Sequence, residues 1–156
     1  MYGEKNVIGK KVNLLNKVDY SKYEMTMSEE TYEVVRVIEW SPELNDYCQH
    51  YIVRGADGTE KEIRETECVF SPNKEKPTDY MVHDFLNDNG VWAEVYPYRH
   101  DMPVLVVDIH WGDWKHEHLW AKNLMEFLGY KEIGNKVTEE DGSDCYSAEH
   151  YYLKTT

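Results

Sequence analysis

The segment Asp108–Trp120, DIHWGDWKHEHLW, holds three histidines, three acids and three tryptophans in thirteen residues. Imidazole nitrogens and carboxylate oxygens are the donors that bind a divalent metal, and the same groups pair for general acid–base chemistry. Within the helical half of the segment, His116 and His118 are two apart, about 200° around a helix, so they cannot share one ion. KHEHLW is not HExxH, and both histidines read as solvent or boundary residues. In the strand half, alternation sends Leu105, Val107, Ile109 and Trp111 to one face and Val104, Val106, Asp108 and His110 to the other. With the first set packed under helices, Asp108 and His110 point from the free side of a sheet. Glu94 and Tyr96 share a face of a neighbouring strand, and Tyr146, Ala148, His150 and Tyr152 share one of the last strand. The candidate patch is therefore Glu94, Tyr96, Asp108, His110, Tyr146 and His150. Its metal-ligand candidates are Asp108, His110 and His150. Tyrosines, histidines and scattered acids are equally good material for an interdomain or partner interface.

Other chemical motifs are missing. Ser143, Cys145 and Ser147 lie near His150, but no GxSxG elbow makes any of them a nucleophile. No P-loop or GxGxxG occurs, and GADG at residues 55–58 belongs to a hairpin. The acidic run TEEDGSDCYSAEH, with Glu139, Glu140, Asp141, Asp144 and Glu149, lacks the spacing of a calcium loop and reads as a turn at Asp141–Gly142.

The elements that must position the patch follow SPNKEKPTD, residues 71–79, the best linker in the chain. DYMVHDFLNDNG predicts a short helix with an apolar stripe of Tyr80, Met81, Phe85 and Leu86. VWAEVYPY and VLVVDIHW predict two strands. Asp113 is an N-cap for a helix running to about Leu128, with Gly129 ending it. KEIGNKVTE and DCYSAEHYYL predict a second hairpin. Residues 73–156 thus read as an α+β domain in helix–hairpin–helix–hairpin order, a four-stranded antiparallel sheet with two helices on one face.

Residues 1–72 read as short strands: KKVNLL at 10–15, TYEVVRVIEW at 31–40, YCQHYIVR at 47–54 and TEKEIRETECVF at 59–70. SPELND at 41–46 supplies one turn, and Asp57–Gly58 the hairpin that joins the last two. On the second strand Tyr32, Val34, Ile38 and Trp40 share a face that Arg36 interrupts. Over residues 7–70, this order resembles the small SH3-like β-barrels of the Tudor and KOW kind. The resemblance implies a closed barrel, and for a Tudor-like barrel an aromatic cage for a cation or methylated side chain, with Tyr32, Trp40, Tyr47 and Tyr51 as candidate rings.

The 156-residue chain has a formal net charge of -13, shared by both halves: nine basic and fourteen acidic residues up to Pro72, eight and sixteen after it. Such a field repels phosphate backbones and anionic membranes, which disfavours direct nucleic-acid or membrane binding. Cys48, Cys68 and Cys145 are odd in number and widely spaced, as expected of reduced, buried thiols in a cytoplasmic protein. No apolar run is long enough to span a bilayer. Together these features predict a non-enzymatic acidic interaction module with a basic protein partner and no cofactor. One version is a nucleic-acid mimic that inhibits a nuclease, as a bacteriophage or mobile element would use. The alternatives are a metal-dependent hydrolase using the His/Asp patch, and cation capture by the N-terminal barrel.

Overall fold

The computed structural model describes residues 7–19, 22, 24–39 and 48–155. Trp40, Tyr47 and the SPELND turn lie outside these residues. Chain contacts divide the protein into two compact units, residues 1–18 with 25–71, and residues 19–24 with 72–156.

The first unit contains β1 (Lys11–Asp19), β2 (Glu24–Ile38), β3 (His50–Arg54), β4 (Glu60–Arg64) and β5 (Cys68–Phe70). They form one sheet in the order β4-β3-β2-β1-β5. That sheet is open, which corrects the expected SH3-like barrel. The three residues of β5 are taken up by Val12, Asn13 and Leu14 of β1, and among the described residues no ladder joins β5 to β4. Barrel closure requires the two edge strands to pair, and here they do not. The core gathers Val12, Leu14, Val34, Val37, Tyr51, Val53 and Ile63. A bulge between Val34 and Arg36 explains how the apolar face of β2 passes Arg36. The extra residue shifts the phase of alternation, so Val34 and Val37 are both buried while Arg36 is exposed.

The second unit runs α1 (Thr78–Asp88), β6 (Glu94–Pro97), β7 (Val104–Asp113), a π-helical turn (Trp114–His118), α2 (Leu119–Phe127), β8 (Tyr130–Glu140) and β9 (Cys145–Lys154). The strands are antiparallel in the order β6-β7-β9-β8. The helices bury Val82, Phe85, Leu86, Ala121, Leu124 and Met125, and Phe85 stacks with Phe127 at 6.1 Å between ring centroids. Tyr80, expected in the α1 stripe, is instead 64% exposed. Among the described residues no helix is long and apolar enough to cross a membrane. The three cysteines are half-buried rather than fully buried; burial still pushes the Cys68 thiol up to about 12.

The junction WGDW departs from regular structure. Alternation predicts Trp111 on the packed face of β7, but the strand bulges between Ile109 and Gly112. Trp111 takes a left-handed backbone (φ 52°) and its side chain is exposed. Such a backbone costs a bulky L-residue roughly 1–2 kcal/mol, so its surroundings must hold it. The buried Ser147 does so, its Oγ accepting the Trp111 N–H at 2.9 Å. Gly112 is required by space: a Cβ there would stand 2.7 Å from Ile109 Cγ2. Asp113 caps the next turn as expected, its Oδ1 accepting from the backbone N–H of Lys115 and His116 at 2.8 and 3.0 Å. Those two hydrogen bonds hold its carboxyl below the usual range.

Candidate functional site

Residues directly opposed in an antiparallel ladder share a face. Register therefore assigns every candidate side chain of the second unit to one of two faces. Asp108 lies opposite Glu94 on β6 and Glu149 on β9, and Tyr96 lies opposite Val106. These residues, with His110, form an acidic face. Val107 lies opposite His150, and Leu105 opposite Tyr152, on the face that meets the helices. The predicted patch is thus divided. Glu94, Tyr96, Asp108 and His110 come together, whereas His150 and Tyr146 belong to the helix face.

On the acidic face, His110 Nε2 is 3.4 Å from Asp108 Oδ2 and 3.9 Å from Glu94 Oε1. One donor atom from each of Glu94, Asp108 and His110 lies within 4.8 Å of the others. Glu94 and His110 are exposed, and Asp108 is mostly sheltered. The other Asp108 oxygen, Oδ1, is buried and has no hydrogen-bond partner among the described residues. Burial pushes the Asp108 carboxyl up from its ordinary value; His110 and His150 pull it down, and Glu149 and Glu94 add to the rise. Tyr96 is raised by burial and then by Glu149, Asp108 and Glu94. Beside them the Tyr151 hydroxyl donates to Glu149 Oε2 at 3.2 Å.

The spacing suits a cation. Two donors each about 2.1 Å from a tetrahedral ion stand roughly 3.4 Å apart. Three protein donors with one position left for water is the pattern of hydrolytic rather than structural sites. One imidazole with two carboxylates favours Zn²⁺ or Mn²⁺ over calcium.

The helix face contains a second cluster that sequence reasoning missed. His118, expected at the solvent boundary, is 3% exposed. Its Nδ1 is 2.8 Å from His150 Nε2, and its Nε2 donates to the Tyr146 carbonyl oxygen at 3.0 Å. His150 Nδ1 is 2.5 Å from Glu132 Oε1. The Tyr146 ring lies flat on His118, with centroids 4.1 Å apart and planes 4° from parallel. Burial lowers the His118 pKa, with His150 adding to the effect and the Tyr146 and Gly112 carbonyls opposing it. The π-helical turn brings His118 over the sheet: one extra residue in its hydrogen-bonded ring rotates the side chain away from the position a regular helix predicts.

In the first unit, Tyr51 is buried in the core and Tyr32 packs against that core. The Tyr32 hydroxyl donates to Glu30 Oε2 at 3.1 Å, and Lys61 Nζ stands 5.0 Å from its ring centroid. The other two cage candidates, Trp40 and Tyr47, fall outside the described residues.

Comparison of the chain with protein-family models, with curated proteins and with solved structures found no match in any of the three.

Proposed function

We propose that the second unit binds a divalent transition-metal ion through Glu94, Asp108 and His110 and acts as a metal-dependent hydrolase. The observation that carries this reading is the convergence of one donor atom each from Glu94, Asp108 and His110 to within 4.8 Å of one another. Burial raises the Asp108 carboxyl, and a cation at its Oδ2, which faces His110, would offset the cost of keeping that sheltered carboxylate charged. Spacings of 3.4 and 3.9 Å to the imidazole leave room for an ion. This supports the hydrolase reading over that of an acidic module without a reactive centre, which rests on net charge.

The chain's own groups divide the work. Asp108 and His110, adjacent on one face of β7, fix two donor directions, and Glu94 closes the third from β6. In this reading Glu149, opposite Asp108 and bonded by the Tyr151 hydroxyl, is assigned the role of proton acceptor from water. When bound, the ion supplies Lewis acidity and a more acidic water. The net charge of -13 disfavours polyanionic substrates, so the substrate class is a neutral or cationic ester or amide.

Equilibrium dialysis against Zn²⁺ and Mn²⁺, with hydrolysis of 4-nitrophenyl acetate as a generic probe, tests this. Wild type should bind one ion per chain and hydrolyse the probe only when loaded. Asp108→Asn and His110→Ala should each lose both properties. Equal metal binding by wild type and both variants would overturn the assignment. Stoichiometric binding without metal-dependent hydrolysis would remove the enzymatic part.

A further inference from the structure

The Glu132–His150–His118 cluster carries an inference of its own, independent of the metal reading. It contributes three side chains to the wall of a cavity of about 250 Å³, which Trp114, Lys122 and Tyr146 also line. We infer that this cavity is a second binding site, built around a stored proton and selective for a small planar carboxylate.

The first step is a proton count. The Tyr146 carbonyl can only accept, so the contact with His118 Nε2 contains one proton. Two imidazole nitrogens at 2.8 Å need one proton between them. Another must lie between Glu132 Oε1 and His150 Nδ1, because two bare acceptors do not approach to 2.5 Å. The geometry therefore holds three protons. An ionised glutamate with two neutral histidines supplies two, so the cluster holds one extra and is neutral as a whole.

Charge follows from that count. With the cluster at zero, the cavity wall carries the single positive charge of Lys122, inside a molecule of net charge -13. No ion pair to Lys122 occurs among the described residues. A locally cationic hollow in an acidic protein selects an anion. The exposed Trp114 indole and the Tyr146 ring supply flat apolar walls, which suit a ring-bearing ligand. The Glu132 proton is committed to His150, so the cavity's charged donor to a bound carboxylate is the Lys122 ammonium, which the neutralised Glu132 no longer opposes.

The extra proton also sets the pH dependence. Its loss leaves the cluster with a charge of minus one and cancels Lys122, so anion binding weakens as pH rises. The surrounding titratable groups are Lys122 and Glu126 of α2, Glu117 of the π-helical turn, Asp108 of β7, and Tyr146 and Tyr152 of β9. Among these, Glu117 acts on His118, Asp108 on His150, and Glu126 on Tyr152.

The test is NMR on the full ¹⁵N-labelled chain without metal, with benzoate as the probe. Wild type should show an exchange-protected, far-downfield proton from the Glu132–His150 contact, and benzoate should shift the Trp114 indole signal saturably. Glu132→Gln should lose that proton while staying folded, because its amide can donate to His150 Nδ1. Its benzoate affinity should no longer fall as pH rises. Lys122→Met should bind benzoate about ten-fold more weakly. A wild-type spectrum without the downfield proton would overturn the stored proton. Cavity signals indifferent to benzoate, or wild-type affinity in Lys122→Met, would overturn the binding site.

Discussion

The two faces of one four-stranded sheet carry the same ingredients, imidazole and carboxylate, at different spacings. On the acidic face the donors stand 3.4 to 3.9 Å apart and are largely exposed. On the helix face they stand 2.5 to 2.8 Å apart and are mostly buried. That difference of about one ångström separates two chemistries. The wider spacing exceeds hydrogen-bond length and has the dimensions of a coordination shell. The tighter spacing has no room for an ion and enforces a proton instead. Burial reinforces the split, since a sheltered cluster must be close to neutral while an exposed one need not be.

The comparison can be broken most forcefully by truncating one histidine from each face. His118→Ala leaves the His150 Nε2 contact and the Tyr146 carbonyl orphaned beside a new void, and should cost about 3–4 kcal/mol in urea unfolding. His110→Ala, at an exposed position, should change metal-free stability by no more than about 0.5 kcal/mol. Equal effects would erase the distinction between the faces. Metal addition should narrow that gap, because only His110→Ala forfeits the ion. At one hundred times its dissociation constant the ion should stabilise wild type by about 2.7 kcal/mol, and Asp108→Asn not at all, in thermal unfolding. Gly112→Ala, which forces a Cβ against Ile109 and Glu117, should destabilise by about 2 kcal/mol through overpacking at the junction that delivers His118. A smaller effect of opposite sign is expected of Tyr152→Phe. The Tyr152 hydroxyl is buried on the helix face with no hydrogen-bond partner among the described residues, so its removal should gain about 1 kcal/mol.

Mild acidification gives the smallest contrast, read by its sign. The Asp108 carboxyl is raised above its ordinary 3.8, so its contribution to stability is present at acid pH and lost as pH rises through its folded value. His118 is lowered below its ordinary 6.5, so its contribution is present above that pH and lost as pH falls through its folded value. Urea midpoints should therefore show metal-free Asp108→Asn more stable than wild type near pH 7, the two converging toward pH 4.

Much of the second unit is legible in the sequence because its signals are local. Asp113 as a cap, Gly129 after α2, and the alternation that puts Asp108 with His110 and Glu94 with Tyr96 all depend on neighbours in the chain. What escapes is phase. A bulge between Glu132 and Gly134 puts Glu132 on the same face as Asn135, three positions on, so strict alternation assigns Glu132 wrongly. The bulge after Ile109 does the same to Trp111, and the π-helical turn to His118. Which face of β9 meets the helices is likewise a tertiary fact, and it separated His150 and Tyr146 from the acidic residues. In the first unit the Asp57–Gly58 hairpin and the centres of the strands were legible, but not the Glu24 start of β2 or the break that divides residues 59–70 into β4 and β5. Whether the sheet closes depends on pairing between its distant edges, which no local pattern encodes.

The WGDW junction also gives the protein an optical property. Trp111 follows His110 directly in the chain and has its indole in solvent, while Trp114 lines the cavity beside Lys122. The single turn between them leaves one fluorophore next in sequence to the metal candidates and one in the wall of the other site. Replacing either with phenylalanine separates their emission from that of the remaining tryptophans. A paramagnetic ion and an aromatic carboxylate can then be followed through different residues of the same unmodified backbone.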